Sequence, residues 1–245
     1  MGNMQPNKRA LIPGILTIGN LFCGFLAIKN TLEGDLTSAA WLIILAGIID
    51  GLDGTVARIT KSFSKLGVEI DSFADVVSFG VAPSILLYTW YFNEIGNLGI
   101  VISFLPLLFG VFRLARFNLM LKGFEKENFV GLPIPAQAST LASYLIFCET
   151  VWGAIRFPVG LAASVIFLSL LMISHFEYET YPKITKHGSI KNKIKLAFFI
   201  IFFFLIVLYP KVTFFPICVT YIIFGFVKGI IDVQHDEEEI RDVSI

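Results

Sequence analysis

Eight stretches of this 245-residue chain are apolar on every face over bilayer-like lengths: 11–30, 37–57, 72–92, 97–119, 134–153, 157–176, 195–209 and 211–231. A hydrocarbon core of about 30 Å takes roughly 20 helical residues, and hydrocarbon leaves a spanning backbone no partner but itself. The last two runs are parted by Tyr209-Pro210-Lys211, where proline removes a donor and favours a turn, so they read as a hairpin despite the 15-residue seventh run. With only 16% charged residues the chain cannot coat a soluble globule of this size. The expected fold is an all-α integral membrane protein: a six-helix core over 11–176 and two further C-terminal transmembrane helices, eight in total.

Lysine and arginine orient these spans. If residues 1–10 are cytoplasmic, Lys29, Arg156 and Lys211 fall outside, and the other sixteen of 19 basic residues fall inside. The cytoplasmic face then carries both termini, a lysine-rich loop at 177–194 and an acidic tail at 233–245, with the C-terminal hairpin at 195–232. The expected location is the cytoplasmic (inner) membrane. The basic start has no small-residue cleavage site after its apolar run, so that run reads as a retained first helix. A net charge of zero offers no electrostatic case for nucleic acid, whereas basic inter-helix segments suit anionic headgroups. Cys23, Cys148 and Cys218 sit in separate apolar runs without metal or redox spacing, as small buried hydrophobes.

Against this background, DGLDGTVARITKSFSKLGVEIDSFAD (50–75) is costly, because it holds four aspartates at or beside hydrocarbon depth. Asp50 and Asp53 are three apart, Asp71 and Asp75 four apart, so each pair shares a helix face. Two such pairs brought together form a four-carboxylate cage that needs cations. Hard oxygen ligands without histidine or cysteine favour Mg²⁺, Mn²⁺ or Ca²⁺, and four carboxylates suit two divalent cations completed by substrate phosphate oxygens. Asp50, Gly54 and Ala57 continue the metal face as small side chains, leaving room for a base and ribose. Arg58 offers a fork to phosphate, and Ser62, Ser64 and Gly67 make a flexible, donor-rich connection. Close helix packing is the alternative for the small residues, and an ion or proton transporter the alternative for the carboxylates.

The whole pattern D-x2-D-G-x2-A-R-x8-G-x3-D-x3-D resembles the signature of the CDP-alcohol phosphatidyltransferase family at Asp50, Asp53, Gly54, Ala57, Arg58, Gly67, Asp71 and Asp75. The resemblance implies a six-helix core and two divalent cations on Asp50, Asp53, Asp71 and Asp75. It makes Asp75 the general base on an acceptor hydroxyl, and places Gly54, Arg58 and Ser64 on the CDP moiety. Ala57, Lys65 and Gly67 join that CDP-lipid set. So do Thr17 and Asn20, polar positions in the first helix whose alternative is a helix–helix hydrogen bond. Family resemblance also implies a homodimer.

FRLARFN (112–118) and FVGLPIPAQA (129–138) resemble the branch of the family that uses serine. Arg113, Arg116, Asn118, Gly131, Pro133 and Pro135 are then the acceptor candidates, with an arginine fork suited to the serine carboxylate. The simpler readings are snorkelling arginines and a rigid Gly-Pro-Pro connection. Gln137 departs from the small residue more frequent in that branch. The substrates this implies are CDP-diacylglycerol and L-serine. Glycerol phosphate or inositol phosphate as acceptor, and CDP-archaeol as donor, remain open alternatives, since basic residues suit those acceptors too.

Overall fold

The structure, a computed structural model, describes residues 11–60, 65–120, 128–174, 176–179, 204–206 and 208–243. Helix α1 runs Leu11–Leu32 and α2 Leu36–Thr60, joined by a tight turn at Gly34 with φ +83°. A long helical segment follows as α3 (Lys65–Asp75), a π-helical turn (Val76–Val81) and α4 (Ala82–Trp90). Then come α5 (Asn97–Met120), β1 (Asn128–Val130), α6 (Ile134–Val151), α7 (Pro158–Ile173), β2 (Glu177–Glu179) and α8 (Pro210–Val243).

Among the described residues, five helical stretches have the length and composition to cross a membrane: Gly14–Leu32, Leu36–Ile59, Leu66–Trp90, Asn97–Leu119 and Pro210–Ile231. Pro158–Ile173 is a shorter apolar helix. The protein is therefore a helical membrane protein. Its exposed apolar side chains, Phe22, Phe25, Ile48, Phe104 and Phe224 among them, form the outer surface that a lipid solvent requires. The interior is close-packed around Ile43, Phe79, Leu86, Leu141, Leu145 and Leu161.

The expected spans and observed helices coincide closely up to residue 173. Most of the expected seventh span, 195–209, lies outside the described residues, though 204–206 and 208 are helical. The break at Pro210 is present: proline opens α8, where its missing N–H costs nothing, and the Tyr209 carbonyl accepts from Thr213 N–H at 3.1 Å. Helix α8 continues to Val243, well past the expected span end at 231. One feature among the described residues is not helical. β1 and β2 pair antiparallel, Phe129 opposite Tyr178, and tie the chain before α6 to the chain after α7.

The π turn has a local cause. Pro83 has no N–H for the carbonyl four residues back, and the chain widens so that Ala82 N–H donates to Val77 O, five back. This widening immediately follows Asp75 and changes the helix face presented beyond it.

Candidate active site

Two helices supply the carboxylates. One oxygen each from Asp50 (α2), Asp71 and Asp75 (α3) lie within 4.8 Å of one another, with Asp75 buried and the other two half-buried. Two unit charges at this spacing repel by about 3.5 kcal/mol at an effective dielectric near 20, so three pairs cost roughly 10 kcal/mol. That rivals the whole stability of an ordinary domain, about 5–15 kcal/mol. The cluster therefore needs positive charge. An all-oxygen donor set of this span fits one divalent cation of the hard class.

The expected cage is thus assembled from three of its four aspartates. Asp53, also buried, is close enough to act on Asp50 and Asp71 electrostatically, but its carboxylate accepts a hydrogen bond from the Thr17 hydroxyl. Asn20 Nδ2 donates to Asp75 Oδ1 at 3.1 Å, and Ser78 Oγ donates to the Asn20 carbonyl at 2.9 Å. Thr17, Asn20 and Gly24 share one face of α1, and a Cβ on Gly24 would come within 2.7 Å of Ser78 Cα. Glycine there lets α1 press against the π turn and deliver both polar side chains to the carboxylates. So Thr17 and Asn20, expected on the CDP-lipid, form the helix–helix hydrogen bonds weighed as their alternative.

Arg113 of α5 is only 5% exposed and faces both Asp75 and Asp50. It is the buried cation of the cluster, one positive charge against the three grouped carboxylates. Arg116, one turn on, instead reaches the end of α7, donating to Ile173 O at 3.0 Å and Ser174 O at 3.4 Å. Asn118 pairs with Ser72 at 3.0 Å, fastening α5 to the residue beside Asp71. The two arginines of FRLARFN therefore have different jobs, one at the carboxylates and one on a helix C-terminus.

Beyond the carboxylates the surface is open. A Cβ on Gly54 would meet nothing within 4 Å, and exposed Arg58 folds back so that its Nε donates to Gly54 O at 3.1 Å. Ala57 is half-buried on the same helix. Gly67 lies inside α3 rather than in the flexible connection expected of it, while Ser62 and Ser64 lie outside the described residues. Lys65 opens α3.

The Gly-Pro-Pro stretch is a backbone device. Gly131 has φ +80° and donates to Phe176 O at 2.8 Å, and a Cβ on it would be 3.1 Å from Ser174 O. Pro133 caps α6 at φ −58° and ψ 138°. Pro135, in the first turn, packs beside Gly47 of α2. Two side chains near the site carried no sequence signal: Ser72 and Ser78 are ordinary helix residues until their partners 46 and 58 positions away are known.

The model of the CDP-alcohol phosphatidyltransferase family matches residues 10–172, which include every aspartate of the cluster and Arg113. The chain is 33% identical over 233 residues to the CDP-diacylglycerol–serine O-phosphatidyltransferase of Helicobacter pylori strain J99, covering 93% of this chain and 94% of that one. It is 36% identical over 223 residues to the Methanocaldococcus jannaschii protein of the same name, covering 91% and 96%. The archaetidylserine synthase of Methanothermobacter thermautotrophicus is 37% identical over 180 residues, 73% of this chain and 72% of that one. With three of its four signature aspartates clustered from α2 and α3 and the family model spanning two thirds of its length, the chain belongs to the CDP-alcohol phosphatidyltransferase family.

Proposed function

We propose that this transferase moves the phosphatidyl group of CDP-diacylglycerol onto the hydroxyl of L-serine, giving phosphatidylserine and CMP. The observation that carries the reading is the Asp50–Asp71–Asp75 cluster beside buried Arg113, in a chain whose relatives are named for this reaction. The serine oxygen attacks the phosphorus that bears diacylglycerol, the bond from that phosphorus to the CMP oxygen breaks, and the serine proton passes to Asp75. A neutral hydroxyl is a weak nucleophile, so a carboxylate held at the reacting centre matters, and Asn20 orients that carboxylate.

Family members are generally dependent on divalent metal, and this site has the donors for it. Our reading is two ions, Mg²⁺ or Mn²⁺, with Ca²⁺ as a third candidate, on Asp50, Asp53, Asp71 and Asp75. When bound they neutralise the diphosphate and the charge developing on the leaving CMP. Gly54 leaves the space beside α2 that a nucleotide needs, and our reading assigns Arg58, Ala57, Ser64, Lys65 and Gly67 to the CDP-lipid. Arg113 supplies the fork for the serine carboxylate. The lysine and arginine bias supports a reading with this site and both termini on the cytoplasmic side, and we take the membrane to be the inner one. A homodimer in that membrane completes the reading, and cross-linking in native membranes tests it.

The deciding experiment presents purified protein with CDP-diacylglycerol, Mn²⁺ or Mg²⁺, and a panel of alcohols, scoring CMP release and the lipid product. Serine is expected to give phosphatidylserine. Turnover of glycerol 3-phosphate or inositol phosphate with none of serine would overturn the acceptor. A parallel arm with CDP-archaeol identifies the donor lipid.

A further inference from the structure

Among the described residues, the strongest unexplained polar group is Gln137. It is 0% exposed, and neither Nε2 nor Oε1 has a hydrogen-bond partner among the described residues. A buried primary amide with both ends unpaired is expensive and calls for a ligand or another reason to exist.

Its position follows from the packing of α6. Ile134 fills the space at Gly110 of α5, where a Cβ would be 2.5 Å from its Cδ1. Thr140 and Ser143 meet the Cys218 thiol of α8. At about 100° per residue, Gln137 lies about 60° from Ile134 on one side and 60° from Thr140 on the other. It therefore looks into the seam between α5 and α8. The level along α8 is also set. Phe215 packs on Tyr144 at 5.0 Å between ring centroids and on Phe147 at 5.5 Å, while Cys218 sits at Thr140 and Ser143. The helices run antiparallel, so one more turn of α8 brings Tyr221 to the level of Gln137. Tyr221 packs on the core and lies within electrostatic reach of the Arg113 guanidinium, which in turn faces Asp75.

We propose that Gln137 and Tyr221 complete the acceptor subsite around Arg113, Gln137 by binding a small zwitterionic alcohol directly and Tyr221 by positioning the arginine from α8. The amide provides what the arginine lacks: Oε1 accepts from an ammonium or hydroxyl, and Nε2 adds a donor to the carboxylate that Arg113 engages. Helix α8 lies wholly beyond the residues matched by the family model, so the C-terminal helix becomes part of the catalytic bundle. This inference rests on the reading of serine as acceptor.

The test uses full-length enzyme with CDP-diacylglycerol, Mn²⁺ and L-serine. Gln137→Leu keeps the volume and removes both polar atoms, and Gln137→Met, of similar length, is measured beside it. Both are expected to raise the KM for serine about tenfold or more, with the KM for CDP-diacylglycerol within about twofold and the Tm equal to or above wild type. Tyr221→Phe keeps the ring and is expected to raise the serine KM about three- to tenfold. An unchanged serine KM in both Gln137 variants overturns the subsite, as does a rise of both KM values together with a fallen Tm, which marks a packing role. An unchanged serine KM in Tyr221→Phe overturns the part given to α8. If wild type uses a different alcohol, the serine reading fails by itself. The same variants are then titrated with the alcohol that does release CMP, where an unchanged KM sinks the subsite as well.

Discussion

Helix α2 carries aspartates in two opposite circumstances. At its start, Asp35 is exposed, and its Oδ1 accepts from Ser38 N–H at 3.1 Å, where the helix dipole favours negative charge. Further along, Asp50 and Asp53 lie in the apolar bundle, Asp50 grouped with two more carboxylates. The first arrangement stabilises the fold without any ligand. The second costs the fold energy until a cation arrives, and the chain spends Thr17, Asn20 and Arg113 on holding it in place. A carboxylate that is cheap does structural work; a cluster that is costly and still braced from three directions is built for chemistry.

The largest effect should come from Asp75→Asn, which removes the base while leaving most of the metal donors. Turnover is expected to fall about 10²–10⁴-fold, with CDP-diacylglycerol affinity retained. Near wild-type CMP release would show that another group takes the serine proton. Asp50→Ala is expected to weaken metal and nucleotide binding together. It also sharpens the contrast between the two ends of α2. In chelator its Tm should equal or exceed that of wild type, because one buried like charge is gone. Added Mn²⁺ should stabilise wild type by about 2.7 kcal/mol at a hundredfold excess over Kd, and the variant far less. A variant that is less stable than wild type in chelator would contradict the claim that the cluster is uncompensated without metal.

A smaller effect is expected from Thr17→Val, which keeps the side-chain shape and deletes the hydroxyl that donates to Asp53. Outer partners of metal-binding carboxylates are typically worth about 10–100-fold in metal affinity. The Mn²⁺ concentration giving half-maximal CMP release should rise by that factor, with the KM for serine unaffected. No change in the Mn²⁺ requirement would leave Asp53 a structural residue.

How much of this the sequence disclosed depends on the distance over which each interaction acts. The helices up to residue 173 were readable because hydrocarbon imposes a length and an all-round apolarity on each. The aspartate pairs were readable because three- and four-residue spacing is local. Which aspartate goes where was not. Asp53 is held by the hydroxyl of Thr17, 36 positions earlier, and no spacing rule reaches across that separation. Arg113 and Arg116 looked alike in FRLARFN, and the backbone carbonyls at the end of α7 tell them apart. Gly131 and the prolines at 133 and 135 looked like acceptor contacts by resemblance. Their visible work is to carry the backbone over Met172 and Ser174 and to start α6. Gln137 stood out only as a departure, and its meaning needed the register of α8.

The smallest expected effect is at the other end of α2. Asp35→Ala removes an N-terminal cap on the surface, and activity at saturating metal and substrate should be unchanged. Its hydrogen bonds with Ser38 hold the Asp35 carboxyl below the usual carboxylate range. The sign follows from that direction: a folded-state value below the unfolded one means the charged form is favoured by folding. The contribution is fully present above about pH 4 and is lost as pH falls through the lowered folded value. At pH 7 the variant should therefore melt at most a few degrees below wild type. The two curves should converge as the pH is taken below 4. A gap that persisted or widened in acid would mean that Asp35 acts through packing rather than charge, and the contrast between the cheap and costly ends of α2 would lose its cheap end.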